Sequence, residues 1–179
     1  SDIYLYDTES KTTKNLCKDY TKRFHVDGMP DLKIEDTNNG YDINPKFSPD
    51  GKYIAWQSME RDGYESDRNR LCVFNLETNE KGYVTELFLS GVDDYCWNDD
   101  SQSLYFVGVW HGTSMVYSTN LNGNIKKLTD GMFDYASVAL LNKDQLLTKR
   151  HSISEADELF TISLNEENKI SQITTENKH

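Results

Sequence analysis

"INPKFSPDGKYIAWQS", Ile43 to Ser58, is the stretch on which the fold turns. Phe47 leads into a polar Ser48-Pro49-Asp50-Gly51 turn. An alternating run follows and puts Ile54 and Trp56 on one face. Nothing in it is catalytic. The residue types describe a hairpin, and the question is whether it stands alone or repeats.

It repeats. Phe47–Trp56 aligns without a gap with Trp97–Phe106, 50 residues on: an aromatic start, a polar turn and an alternating apolar finish. Leu140–Leu147 is a weaker third copy. A second element recurs as "IYLYDTESKTTKNL" (Ile3–Leu16), "LCVFNLETNEKGYV" (Leu71–Val84), "SMVYSTNLNGNIKKLT" (Ser114–Thr129) and "LFTISLNEENKISQIT" (Leu159–Thr174). Each reads as strand, short turn, strand, with Asp7, Asn75, Asn120 and Ser163 in equivalent places. The last two steps between those places are 45 and 43 residues.

The period is two throughout, and no segment sustains the i, i+3, i+4, i+7 pattern of an amphipathic helix. The two kinds of hairpin alternate, giving units of four antiparallel strands, A to D, about 45 residues long. That is the pattern of a β-propeller blade. The expected fold is all-β: a partial β-propeller of about three and a half four-stranded antiparallel blades. It comprises a half blade at 2–17 and blades at 41–87, 92–129 and 133–174. An all-β sandwich also spaces its strands by about 8–12 residues, but the aligned copies favour the propeller. Propellers close with about 4–8 blades. The 179 residues therefore read as a piece of a longer protein, expected to form a homodimer or to be marginally stable if it folds alone.

Composition limits the function classes. Thirty acidic against 19 basic residues give a net charge of −11, which argues against nucleic acid as a partner. No apolar run approaches the roughly 20 residues of a membrane helix, so no membrane partner is expected. The chain starts at Ser1, and no apolar h-region follows. Cys17, Cys72 and Cys96 form an odd set without C-x-x-C spacing, so no zinc cluster is expected and a disulfide pairing stays open. Excess acid serves solubility, or some carboxylates hold a cationic group such as a peptide amine.

The loops are unequal. A-to-B turns (Ser48–Gly51, Asn98–Ser101, Asn142–Asp144) and C-to-D turns (Asp7–Lys11, Glu77–Lys81, Asn122–Asn124, Asn165–Lys169) are short. B-to-C connections are expected to be longer: "MERDGYESDRNR" (Met59–Arg70), "GVWHGTS" (Gly108–Ser114) and "RHSISEADE" (Arg150–Glu158). The first D-to-A connection, Lys18 to Asp42, carries Arg23, His25 and Asp27. In an up-and-down blade these two kinds of loop share one end of the ring, and loops on a rigid scaffold carry binding residues. The substrate-binding candidates are Glu65, Asp67, Arg61, Arg68, Trp110, His111, Arg150 and His151. For each a bland reading stands beside the functional one. The 61–70 charges also make a self-neutralising loop, Trp110 also suits packing between blades, and Arg150-His151 also suits a hydrogen-bonded rim pair.

No catalytic constellation is present: no G-x-S-x-G elbow, no H-E-x-x-H and no phosphate-binding glycine loop. His25, His111 and His151 lack ligand spacing, so neither metal nor cofactor is expected. Ser48–Gly51 superficially resembles the sialidase Asp-box, but Asp50 and Gly51 are adjacent where that motif separates them. The WD-repeat pairs are missing.

"NPKFSPDGKYIAW" resembles the Pro-Asp-Gly repeat of TolB-type propellers and of the N-terminal domains of prolyl oligopeptidase-family serine peptidases. "SMERDGYESDRNRL", "GVDDYCWNDDSQSLYFVG" and "KRHSISEADELF" are similar to the propeller of bacterial dipeptidyl and acylaminoacyl peptidases of that family. The resemblance covers nearly the whole chain. It implies a propeller seated over an α/β-hydrolase domain that cuts short peptides, the propeller limiting substrate size and, in some members, gripping the free amine with carboxylates. No hydrolase domain is among these residues, so no triad residue carries over and this chain is not expected to be an enzyme by itself. Glu65 and Asp67 of "GYESD" are the residues to which the amine-binding role transfers. The resemblance places the full-length protein in the periplasm or outside the cell. The alternative is a TolB-like binding propeller that scaffolds partner proteins and has no enzymatic domain.

Overall fold

A computed structural model describes residues 1–18, 21–24, 32–35, 39–165 and 167–177, the two short pieces 21–24 and 32–35 as backbone. His25 and Asp27 lie outside the described residues. The chain divides into two compact units, Ser1–Leu89 with Leu121–Gly123, and Ser90–Asn120 with Asn124–His179.

The first unit opens with a hairpin of β1 (Tyr4–Asp7) and β2 (Thr12–Asn15). Next come β3 (Thr21–Phe24), β4 (Leu32–Glu35), β5 (Asp42–Phe47), β6 (Tyr53–Ser58), β7 (Arg70–Asn75) and β8 (Lys81–Tyr83). β5 to β8 pair antiparallel in chain order, forming the expected four-stranded blade. The segment between Lys18 and Asp42 is not a plain loop. Its β3–β4 hairpin adds to the sheet, with β3 parallel to β8 through Lys22–Lys81 and Arg23–Gly82. A blade's last strand has an open row of backbone donors and acceptors, and β3 takes them up.

The β5–β6 hairpin is held by hydrogen bonds that follow from its sequence. Gly51 N–H donates to Ser48 O at 2.9 Å, and Asp50 Oδ1 accepts from Ser48 Oγ at 2.6 Å and Lys52 N–H at 3.0 Å. Gly51 has φ +72, the left-handed conformation for which glycine is the default. The aligned copy repeats this at Asn98–Ser101. There Asp100 Oδ1 accepts from Gln102 N–H at 2.8 Å and Ser103 N–H at 3.0 Å, and Ser101 takes the left-handed place at φ 56. C-to-D turns share an Asx device. Asp7 Oδ1 caps Glu9 and Ser10, Asn75 Oδ1 caps Glu77 and Thr78, and Asn120 Oδ1 caps Asn124. Ser163 Oγ accepts from Asn165 N–H at 3.4 Å.

β6 is covered on both faces: Ala55 and Trp56 are fully buried. In the core of this unit Ile3, Leu16 and Cys17 of the first hairpin meet Ile54, Trp56, Cys72, Phe74 and Tyr83. Trp56 Nε1–H donates to the buried Asp42 carboxylate at 2.7 Å, and Lys81 Nζ donates to Cys17 O at 2.9 Å. Pro45 sits at a register shift of β5, an edge strand, where a missing N–H costs no ladder bond.

The second unit has two antiparallel sheets. β9 (Val92–Trp97), β10 (Ser103–Trp110), β11 (Thr113–Asn120) and β12 (Ile125–Lys127) form one. β13 (Asp134–Asn142), β14 (Gln145–Ser152), β15 (Glu155–Ser163) and β16 (Ile170–Gln172) form the other. β13 packs against β9, β10 and β11. Two carboxylates fasten the sheets: Asp94 Oδ2 accepts from Val138 N–H at 3.0 Å, and Asp134 Oδ1 from Ser114 N–H at 2.8 Å. The architecture is the propeller-type, all-β one expected. Cys17, Cys72 and Cys96 are free thiols.

Two expected loops are mostly strand. In 108–114 only His111 and Gly112 lie outside β10 and β11, and in 150–158 only Ile153 and Ser154 lie outside β14 and β15. His111 and Gly112 have φ of 52 and 85, the pair of left-handed residues that a two-residue turn matched to strand twist demands. Polar side chains there hid strands that run to the hairpin tip.

Burial raises the Asp42 carboxyl above its ordinary value near 3.8, against the pull of donors on Ser58, Trp56 and Cys17. The folded state thus binds this proton more tightly than the unfolded chain. The associated stability is present at pH below the ordinary value and is lost as pH rises through the raised one. Asp42→Asn keeps an oxygen for Trp56 and cannot ionise. Its Tm relative to the wild type is expected to climb between pH 4 and pH 7, and a pH-independent difference would contradict the assignment.

Candidate functional site

In the first unit the long connection 59–69 between β6 and β7 is the site's frame. Asp67 accepts from the Arg61 backbone N–H at 2.9 Å and from Arg61 Nε at 3.1 and 3.0 Å, and it also meets Nη2. The Arg61 guanidinium lies 4.1 Å over the Tyr64 ring. Hydrogen bonding from Arg61 holds the Asp67 carboxyl below its ordinary range. Asp67 is thus the brace of the loop. Glu65 is exposed, and among the described residues nothing donates to it.

The base of the loop is tied down by two arginines. Arg68 donates to Glu86 O at 2.8 Å and to Phe88 O, closing a backbone chelate around 86–88. Arg70, the first residue of β7, is 2% exposed, 3.3 Å from Glu86 and 3.7 Å from Glu60, with Cζ 4.3 Å from the Tyr83 ring centre. Its Nε and Nη2 are buried without a hydrogen-bond partner among the described residues. Arg70 went unranked among the candidates because a buried arginine and an exposed one look alike in sequence. Its register opposite Ser58, in a strand pair buried on both faces, is the signal that marks it.

In the second unit the remaining candidates sit at hairpin ends. Trp110 closes β10 and is 42% exposed, and its ring makes an edge contact with His111 at 4.6 Å. On β14, strand alternation sends Arg150 to the opposite face from Lys149 and His151. Asp157 holds both of the latter, at 3.1 Å from Lys149 Nζ and 2.9 Å from His151 Nδ1. Hydrogen bonding from Lys149 is the main cause of its lowered pKa. Arg150 lies 3.9 Å from the Phe133 ring centre and 3.6 Å from that of Phe160.

Chemically, these are binding groups: carboxylates, guanidinium groups and aromatic rings on fixed strands and one braced loop. Among the described residues no group of three metal-ligating side chains comes together.

Residues 1–156 match the dipeptidyl peptidase IV (DPP IV) N-terminal region. The chain belongs to that family. It is 40% identical over 180 residues to dipeptidyl-peptidase 5 of Porphyromonas gingivalis, covering 99% of this chain and 23% of that relative. Among solved structures, a puromycin-hydrolyzing peptidase of Mycobacterium tuberculosis matches with TM-score 0.65 at 17% identity, over 86% of this chain and 24% of that one. The β-propeller domain of the Trilobed protease from Pyrococcus furiosus, of open velcro topology, matches with TM-score 0.60 at 16% identity, over 99% and 62%. These two likenesses bear on fold alone. The chain spans less than a quarter of the length of the dipeptidyl-peptidase 5 it resembles, and what it covers is the propeller region.

Arg70→Ala would leave Glu86 facing a cavity without its cation and strip the cover from Tyr83. A loss of about 2 kcal/mol is expected, below the 3–5 of a fully buried pair because Glu86 keeps some solvent. Urea denaturation midpoints measure it, and an unchanged midpoint would contradict this role.

Proposed function

We propose that this propeller is the non-catalytic part of a serine dipeptidyl peptidase that acts in the periplasm or outside the cell. It admits and positions short peptides for an α/β-hydrolase domain elsewhere in the protein. The observation that carries this reading is 40% identity over 99% of the chain to a dipeptidyl-peptidase 5. A TolB-type scaffold shares the fold, but identity at that level to a peptidase favours the enzyme's propeller. The coding sequence downstream is expected to hold a G-x-S-x-G elbow followed by Asp and then His. A stop codon soon after the propeller's last blade would overturn the reading.

Glu65 is the amine-binding carboxylate in this reading. It sits on a loop whose shape is set by the Arg61–Asp67 brace and the Arg68 chelate, while its own oxygens remain available. An ammonium donating to a carboxylate makes a charge-assisted hydrogen bond, and the loop's fixed shape lowers the entropy lost on binding. By calorimetry, peptides with a free amine are expected to bind several-fold more tightly than N-acetylated ones, and Glu65→Gln is expected to erase the difference. Equal affinities in the wild type would remove Glu65 from the site.

A further inference from the structure

The Arg150 side chain packs on aromatic rings and acts on the buried Tyr135 hydroxyl, yet no carboxylate pairs with it among the described residues. Its guanidinium is held between Phe133 and Phe160, with Cζ within 4 Å of both ring centres. A planar cation flanked by rings presents its N–H edge, the edge that matches a carboxylate bidentately. No ion pair or hydrogen bond of that guanidinium to a carboxylate exists among the described residues. Its cross-strand neighbour is Glu158, yet Glu158 turns elsewhere. Its oxygens accept from Asn177 N–H at 2.7 Å, Asn177 Nδ2 at 3.3 Å and the Thr174 hydroxyl.

Beside the guanidinium is a cavity of about 170 Å³, bordered by Arg150, Glu155, Glu158, Phe160, Gln172 and Asn177. Liquid water occupies about 30 Å³ per molecule, so the space suits a carboxylate with a few attached carbons. We propose that this cavity is a carboxylate-binding subsite, with Arg150 as the residue that receives the acid group of a short peptide. The lining holds two carboxylates, Glu155 and Glu158, against one guanidinium, so the planar N–H fork of Arg150 and not net charge selects the class of ligand. A phosphate dianion would face Glu155 and Glu158 with twice the repulsion of a monoanion, so the single charge and planar fork of a carboxylate fit best. Gln172 and Asn177 are already engaged, with Thr174 O and with Asp157 O and Glu158, which leaves Arg150 as the principal donor.

This inference rests on the peptide-handling reading and adds to it the end of the peptide opposite the amine. The acid group comes from the peptide's C-terminus or from an acidic side chain. The test uses the 179-residue chain and three N-acetylated peptides, whose caps keep amine recognition at Glu65 out of the measurement. One has a free C-terminus, the second is its C-terminal amide, and the third is an amide with one internal Glu. Titration is expected to show the free acid binding at least tenfold more tightly than the plain amide. Arg150→Met is expected to abolish that preference, and Arg150→Lys to weaken it, since an ammonium keeps the charge and loses the fork. Near-UV circular dichroism shows that each variant is folded, and Arg150→Lys decides if Arg150→Met is not. Preference for the Glu peptide over the free acid would assign the site to side chains. Equal affinity for acid and amide, no binding of any of the three, or an undiminished preference in a folded variant would overturn the proposal. A failure here with the Glu65 preference intact would leave the peptide-handling reading standing.

Discussion

Strands buried on both faces set the terms for everything else in this chain. β6 hides Ala55 and Trp56 completely, and β10 hides Leu104, Phe106 and Val107. A strand in that position has to pair on both edges and be covered above and below, because unpaired backbone and bare apolar faces both carry large free-energy costs. The antiparallel blade supplies the edges, and packing between sheets supplies the cover. What cannot be apolar has to be satisfied inside. That is the role of Asp42 beneath Trp56 and of Lys81 on the Cys17 carbonyl. The same requirement places Asp94 and Asp134 on backbone donors of the adjoining sheet in the second unit.

A consequence is that charged chemistry is displaced to the strand ends and, in the first unit, to the 59–69 connection. The chain carries eleven more acidic than basic residues, yet its most constrained carboxylates are already engaged. Asp67 braces Arg61, Asp157 spans Lys149 and His151, and Glu158 caps the segment at 174–177. Each has its pKa lowered by these partners, so each stays ionised while serving structure. Function has to be sought in groups left over from this local neutralisation, and the sign of a residue's charge says little about which those are.

The blade architecture was legible because it is written twice over, in period-two alternation and in turn residues at matching places. Asp50 and Asp100 each accept from the backbone N–H two residues on, and Asp7, Asn75 and Asn120 each cap their turns through Oδ1. Less legible was anything that depends on where a strand stops. The polar letters of Gly108–Ser114 and Arg150–Glu158 resemble loops, while the backbone runs on as strand to two-residue turns, since a hairpin tip in solvent tolerates any polar side chain. The β3–β4 hairpin was missed for a related reason. Four-residue strands leave too few alternations to read, and their pairing with β8 is a long-range event that no local pattern records. Within the candidate site, the clustering of Arg61, Asp67 and Arg68 was visible, but the division of labour among them was not. Which carboxylate braces and which stays open depends on side-chain direction, set by contacts with 86–88 that lie far along the chain.

Arginine does three different jobs here, and the environments explain the difference. Arg68 spends its donors on two backbone carbonyls and so fixes a loop. Arg70 is buried against Tyr83 with Glu86 beside it, a pairing whose desolvation cost is offset only while both partners remain. Arg150 has aromatic cover like Arg70, but among the described residues no carboxylate pairs with it, its neighbour Glu158 being turned to Thr174 and Asn177. A guanidinium is weakly hydrated across its faces and strongly along its edge, so stacking it between rings removes little hydration and leaves the edge's donors to be satisfied by water or by an anion. Arg68 has its edge answered from within the chain, and Arg70 has Glu86 at one end of its edge while Nε and Nη2 stay buried without a partner among the described residues. Arg150, with which no carboxylate pairs among the described residues, borders a cavity, and there the difference between holding the fold and holding a ligand becomes a difference in where five N–H bonds point.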